Sequence, residues 1–142
     1  MAVSPAAWLV DKSVLARLGR PEVRRVVLPR VQAGRVAITI VTELEVGFSA
    51  RSAKDYDATR RALLDFLIPV LVSPRAEQRA REVQAELVRR GQHRTVSIPD
   101  LLVAAVAEVE RLSVLHYDAD FELVAGITGQ QAEWVVPRGS VD

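Results

Sequence analysis

The chain has 142 residues, 49% of them apolar, which suits a single compact domain over residues 1–142. It contains no cysteine, which excludes disulfides, zinc-thiolate sites and cysteine nucleophiles and fits a reducing, cytoplasmic compartment. Net charge is +1, so bulk charge gives little pull towards nucleic acid, and the longest apolar run, "LLVAAVA" at 101–107, is too short to span a bilayer.

The predicted elements alternate from end to end. "AWLVD" (7–11) reads as a buried strand, and "VLARLG" (14–19) as a short helix stopped by Gly19. "PEVRRVVLPRVQAG" (21–34) opens on a helical proline and closes on Gly34, with Pro29 predicting a kink or two short helices. "RVAITIV" (35–41) is a second buried strand, "TELEVGFSAR" (42–51) a helix. Tyr56, Thr59, Leu63 and Phe66 fall at helical spacing in the next segment, and "PVLV" (69–72) is a third strand. "AEQRAREVQAELVRRG" (76–91) is amphipathic, with Ala76, Ala80, Val83 and Leu87 on one face. "PDLLVAAVAEVERL" (99–112) is apolar nearly all round, hence a buried helix. "SVLHYD" (113–118), "ADFELVAGI" (119–127) and "AEWVV" (132–136) complete the series as strand, helix and strand. This pattern predicts an α/β domain with a mostly parallel sheet of five strands covered by helices on both faces.

Ligands of such sheets collect at the carboxyl ends of the strands. Two strands end in acid, at Asp11 and Asp118; a third is followed by Thr42 and Glu43; Asp100 opens a helix just after "TVSI". Carboxylates gathered on one edge repel, and a bound divalent cation resolves the repulsion. An all-oxygen set without His or Cys selects Mg²⁺ or Mn²⁺ over zinc. Such an ion acidifies water and holds the oxygens of a phosphodiester, so metal-dependent phosphodiester hydrolysis is the natural chemistry.

Each acid also has a plain structural role open to it. "SIPD" (97–100) matches a capping box with Ser97 as cap and Asp100 facing back. "TELE" (42–45) matches one with Thr42 as cap and Glu45 as partner, and Asp120 can cap the helix that follows. Glu43 and Glu45 point about 200° apart on a helix, so only one of them faces a given metal. The capping box gives Glu45 to structure and leaves Glu43 for the site. Only the set of four acids on one edge favours function over capping.

Four stretches in order, "LVDKSVLARL", "TELEVGFSAR", "SIPDLLVAAVAE" and "HYDADFELVA", resemble the PIN-domain ribonucleases, and closely the VapC toxins of bacterial toxin–antitoxin pairs, mycobacterial ones in particular. The resemblance covers nearly the whole chain. It implies a five-stranded parallel sheet, an acidic Mg²⁺ or Mn²⁺ site, endoribonuclease activity on a structured RNA such as transfer or ribosomal RNA, homodimers, and inhibition by a small VapB-type antitoxin. By the same resemblance Asp11, Glu43, Asp100 and Asp118 are the catalytic, metal-binding acids. Asp120 is an auxiliary acid and Ser13 the small hydroxyl near the metal. Gly47 completes "ELEVG", and Glu45 remains an alternative ligand to Glu43. Lys12 departs from the family's usual small residue after the first acid.

Arg51 and Arg94 lie near the site by the family pattern and are candidates for holding RNA phosphates. His93, in the polar "GQHRT" loop, and His116, inside a strand, read as structural, as do Trp8 and Trp134. Phe48, Leu64 and Leu67 are candidates to line an antitoxin groove beside the hairpin of helices 42–51 and 55–67. The main alternative is a non-catalytic module that binds RNA or protein on the same scaffold. A phospho-acceptor domain ranks last, because it wants a late lysine and the only lysines are Lys12 and Lys54.

Overall fold

The structure is a computed structural model and describes residues 6–142. One sheet holds β1 (Trp8–Val10), β2 (Val36–Ile38), β3 (Ile68–Pro69), β4 (Ser113–His116) and β5 (Ala132–Trp134), in the order β3-β2-β1-β4-β5. Every pairing is parallel. The helices are α1 (Lys12–Leu15), α2 (Pro21–Gln32), α3 (Ile40–Phe48), α4 (Ala53–Ala62), α5 (Pro74–Arg89), α6 (Ile98–Glu110) and α7 (Asp120–Thr128), with a 3₁₀ turn at Leu64–Phe66. Among the described residues, no helix is long and apolar enough to cross a membrane.

Strand alternation divides the core. Leu9, Ala37 and Val114 pack with Ala76, Val83 and Leu87 of α5, the apolar body of α6, and Phe121 of α7. Val10, Val36, Ile38 and Leu115 pack with Val14 of α1 and with Val23, Val27 and Val31 of α2. A parallel sheet buried on both faces is the result.

The expected elements are all present, with several corrections. The first is α2, which runs unbroken through Pro29. Its inward stripe of Val23, Val27 and Val31 holds the helix to the sheet across the hydrogen bond that proline cannot make. The second is the start of α3. The expected cap, Thr42, is a buried helical residue, and Thr39 is the cap instead, its side chain accepting from the Thr42 amide at 3.3 Å. Strand β2 is cut short accordingly. The third is α4, which ends at Ala62 and passes into the 3₁₀ turn, where a longer helix was expected. Two elements are displaced: α1, expected over 14–19, starts at Lys12 directly behind its cap Asp11, and edge strand β3, expected over 69–72, is confined to Ile68–Pro69, where the missing N–H of Pro69 is tolerated at a sheet edge.

The C-terminal residues fold back onto the domain. The Tyr117 hydroxyl donates to the Val141 carbonyl at 2.7 Å and accepts from the amides of Gly139 (2.8 Å) and Val141 (3.3 Å). The Val141 side chain is buried. Trp8 and Trp134 are half-buried, their indole N–H groups donating to Glu133 and Glu122.

The chain leaves β1 towards β2 on one side and later returns to place β4 on the other. The carboxyl ends of β1 and β4 therefore flank the switch point of the sheet, where open α/β folds form their sites.

Candidate active site

Asp11 follows β1 directly and caps α1. It is fully buried, and its Oδ2 accepts from the Ser13 amide at 3.0 Å. Its other oxygen, Oδ1, is buried with no hydrogen-bond partner. Burial raises its pKa, the Ser13 hydrogen bonds oppose this, and the charge of Asp118 adds to the rise.

Asp118 sits two residues beyond β4. Its Oδ1 accepts from the Asp120 amide at 2.9 Å, and its own amide donates to His116 Nδ1 at 3.2 Å. Ser13 ties the two strand ends together, because its hydroxyl accepts from the Tyr117 amide at 2.9 Å. The serine expected near the metal is thus a brace between the segments that carry Asp11 and Asp118. His116 is fully buried and packs its ring against Phe121 and Trp134, so the structural reading of this histidine fits. His93 is exposed.

Asp100 is the third residue of α6. Half of its expected capping box exists: the Asp100 amide donates to Ser97 Oγ at 3.2 Å. The reciprocal half does not. The Ser97 amide donates to Asp120 Oδ2 at 3.2 Å, so Asp120 supplies what the Asp100 carboxylate was expected to supply. Asp120 itself is the first residue of α7 and makes no side-chain cap for it. The Asp100 carboxylate is released from its own helix start and buried, with Oδ1 unpartnered. Burial first, then the charges of Asp11, Asp118 and Asp120 and a hydrogen bond with Asp120, push its pKa up to about 9. Carboxylate oxygens of Asp100, Asp118 and Asp120 lie within 4.8 Å of one another.

The two glutamates fall on opposite sides, as their spacing requires, but not in the expected assignment. Glu43 turns to Arg60, with Oε1 3.1 Å from Nη2. Glu45 turns to Lys12, with Oε2 3.3 Å from Nζ, while its Oε1 is buried and unpartnered. Burial raises the Glu45 pKa, its hydrogen bond with Lys12 and the charge of Lys12 oppose this, and the charge of Asp11 adds to the rise. With Thr39 as the cap, no capping box claims Glu45. Lys12, expected to point away from the acids, instead turns to Glu45, and the charges of Asp100 and Asp11 also act on its ammonium. A lysine directly after the first acid was the available signal.

Three buried, unpartnered carboxylate oxygens, on Asp11, Glu45 and Asp100, are what metal ligands look like without their ion. The donor set is all oxygen, with Asp118 and Asp120 beside it. It fits a hard divalent cation.

Between α1, α3 and α4 runs a groove of about 350 Å³, lined in part by Lys12, Leu15, Glu45, Val46, Tyr56 and Leu64. Of the residues expected there, Leu64 lines it; Leu67 is buried in the core and Phe48 faces solvent at 93% exposure. Gly47 lets α3 approach α4: a Cβ there would lie 3.1 Å from Tyr56 Cε2. Arg51 lines the groove and pairs with Asp55. Arg94 is exposed in the turn before α6.

Residues 8–127 match the PIN domain family. A protein named ribonuclease VapC51, from Mycobacterium tuberculosis, is 48% identical over 136 residues, covering 95% of this chain and 97% of the relative. A structure described as a member of the VapBC family of toxin–antitoxin systems, VapBC-5 from Mycobacterium tuberculosis, superposes with a TM-score of 0.61 at 28% identity, over 91% of this chain and 97% of that one. A VapBC2 structure from Rickettsia felis, bound to a promoter DNA fragment, shares the fold with a TM-score of 0.77 at 14% identity, over 90% and 98%.

Proposed function

This chain belongs to the PIN-domain family, and from that premise we propose that it is a metal-dependent endoribonuclease toxin of the VapC type. The observation that carries the reading is the set of orphaned buried oxygens on Asp11, Glu45 and Asp100, at the switch point of the sheet. Asp11, Asp100, Asp118 and Glu45 would hold Mg²⁺ or Mn²⁺, with Asp120 auxiliary; Glu43 is replaced in this set by Glu45. The bound ion supplies positive charge for acidifying water and for stabilising the phosphodiester at the point of cleavage.

The protein's own residues set the site up. Ser13 and His116 fix the backbone after each acidic strand end. Asp120 holds the Ser97 amide and so releases the Asp100 carboxylate from capping its own helix. Burial and the neighbouring acids push the Asp100 pKa up to about 9, so this carboxyl would have to release a proton to serve a bound cation. Arg51 and Arg94 remain candidates for distant RNA phosphates. Hydrolysis of this kind leaves 5′-phosphate and 3′-hydroxyl ends, and a structured RNA such as transfer or ribosomal RNA is the proposed substrate.

The toxin–antitoxin setting of the VapBC-5 neighbour supports a VapB-type antitoxin as partner; the proposal adds action in the cytoplasm and a homodimer of single-domain chains. An exposed apolar row on α3, Ile40, Leu44 and Phe48, offers surface for such contacts.

The test is incubation of antitoxin-free protein with total cellular RNA under Mg²⁺, Mn²⁺ or EDTA, beside Asp11→Ala. Discrete cuts that need both metal and Asp11 are expected. RNA retention without cleavage under any metal, in folded protein, would instead establish a binding module.

A further inference from the structure

Lys12 stands where the fold gives it nothing to do. It is the first residue of α1, directly after the cap Asp11, and a cation there faces the positive end of the helix. Its side chain is 54% exposed and adds nothing to the core. An ion pair whose cation is this exposed contributes little to stability. Yet its ammonium lies 3.3 Å from Glu45, and the charges of Asp100 and Asp11 also act on it.

Composition sharpens the point. Of 19 basic residues, 17 are Arg, and Lys12 is one of two exceptions. A guanidinium would clamp Glu45 with a two-pronged fork. An ammonium is a compact point charge on a flexible stem, which grips more loosely and turns to a new acceptor more readily. Lys12 also lies where the acidic cluster meets the groove between α1, α3 and α4, whose lining carries Arg51 and Arg60. An RNA strand seated there would bring a phosphate within reach of the ammonium.

We infer that Lys12 is a transferable cation of the site: it neutralises Glu45 until a divalent ion takes that carboxylate, and then binds a phosphate oxygen of the RNA. The role rests on the nuclease reading above and adds a substrate-binding residue to it.

Calorimetric titration with Mn²⁺ alone, on wild type, Lys12→Met and Lys12→Arg, tests the first half. Steady-state cleavage of one RNA by the same proteins tests the second. Circular dichroism confirms folding, with Lys12→Gln in reserve for a Met variant that misfolds. Lys12→Met should bind Mn²⁺ three- to tenfold more tightly, because its competitor for Glu45 is gone. Its KM for RNA should rise tenfold or more, with kcat changing less. Lys12→Arg should bind Mn²⁺ more weakly than wild type. Unchanged Mn²⁺ affinity and KM in Lys12→Met would reduce Lys12 to a surface ion pair and overturn the inference. Weaker Mn²⁺ binding by Lys12→Met would overturn it too, by making Lys12 a support for Glu45. Wild-type protein that binds Mn²⁺ but cuts no RNA would defeat the nuclease reading, while the calorimetry still judges the competition. Wild-type protein that binds no Mn²⁺ would defeat both.

Discussion

Glu43 and Glu45 differ in a way that one pair of variants can read. Glu43 is engaged by Arg60 on the α4 side, whereas Glu45 keeps a buried oxygen free beside Asp11. Glu45→Gln should lower RNA cleavage by about 100-fold or more, since a metal ligand and its charge are lost together. Glu43→Gln should stay within about threefold of wild type, as expected for a partly exposed ion pair. Equal losses in a cleavage assay would return Glu43 to the site. Asp100 makes a second prediction, on stability. Its pKa in the folded protein, about 9, lies above the ordinary 3.8. The unfolded chain therefore ionises first as pH rises, and metal-free stability falls between these two values. His116 works the other way. Burial lowers its pKa from 6.5 to about 4, so stability is lost as pH falls through that range. Above pH 6.5 the His116 effect is complete, while the Asp100 effect continues to about pH 9. Asp100→Asn should raise metal-free stability at pH 8 by on the order of 2 kcal/mol, after allowance for solvent screening. Melting curves from pH 6.5 to 9 should flatten in the variant; a parallel slope would contradict the assignment.

Helix α2 illustrates how packing overrides local preference. An interior proline costs about 3 kcal/mol relative to alanine in a helix, part of which is offset by its stiffening of the unfolded chain. Pro29 is exposed, and no packing depends on its ring, while Val23, Val27 and Val31 hold the helix against the sheet. Pro29→Ala should therefore stabilise the protein by about 1–2 kcal/mol, read as a higher urea midpoint with an unchanged slope. A loss of stability would mean that the proline bends α2 to fit. Helix α3 carries the functional consequence at this scale. Moving its start from Thr42 to Thr39 removes the capping claim on Glu45 and leaves its side chain beside Asp11.

At the scale of the whole molecule, the site and the chain's end meet on the same strand. Tyr117 lies between the acidic Asp118 and the buried His116, and its hydroxyl holds the C-terminal residues through three hydrogen bonds. Tyr117→Phe should cost about 1–2 kcal/mol, read by chemical denaturation, because the part-buried amide and carbonyl of Val141 lose their partner. Metal links the site to the fold as a whole. The repulsion among Asp11, Asp100, Asp118 and Glu45 is a cost that the folded state bears and the unfolded chain does not. Mn²⁺ at about 100 times its dissociation constant should stabilise the wild type by about 2.7 kcal/mol. The gain should vanish in Asp11→Asn; an equal gain there would place the ion elsewhere.

Much of this protein is legible in its sequence, because periodicity and local chemistry act over a few residues. The alternation of β-branched runs with amphipathic stretches determined the α/β class. Acids at the ends of "WLVD" and "VLHYD" determined which edge of the sheet carries charge. Ser97 as the cap of α6 was equally local. The rest required contacts between distant segments. Whether Asp100 serves its own helix or the site was decided by Asp120, twenty residues away, which takes the Ser97 amide. Whether Glu43 or Glu45 joins Asp11 was decided by where β2 stops and by which partners α1 and α4 present. That Lys12 turns into the acidic cluster, and that Ser13 and His116 brace it, followed only once β1 and β4 lay side by side. A sequence specifies its elements through short-range preferences, but a carboxylate's role depends on what the fold leaves it to bind.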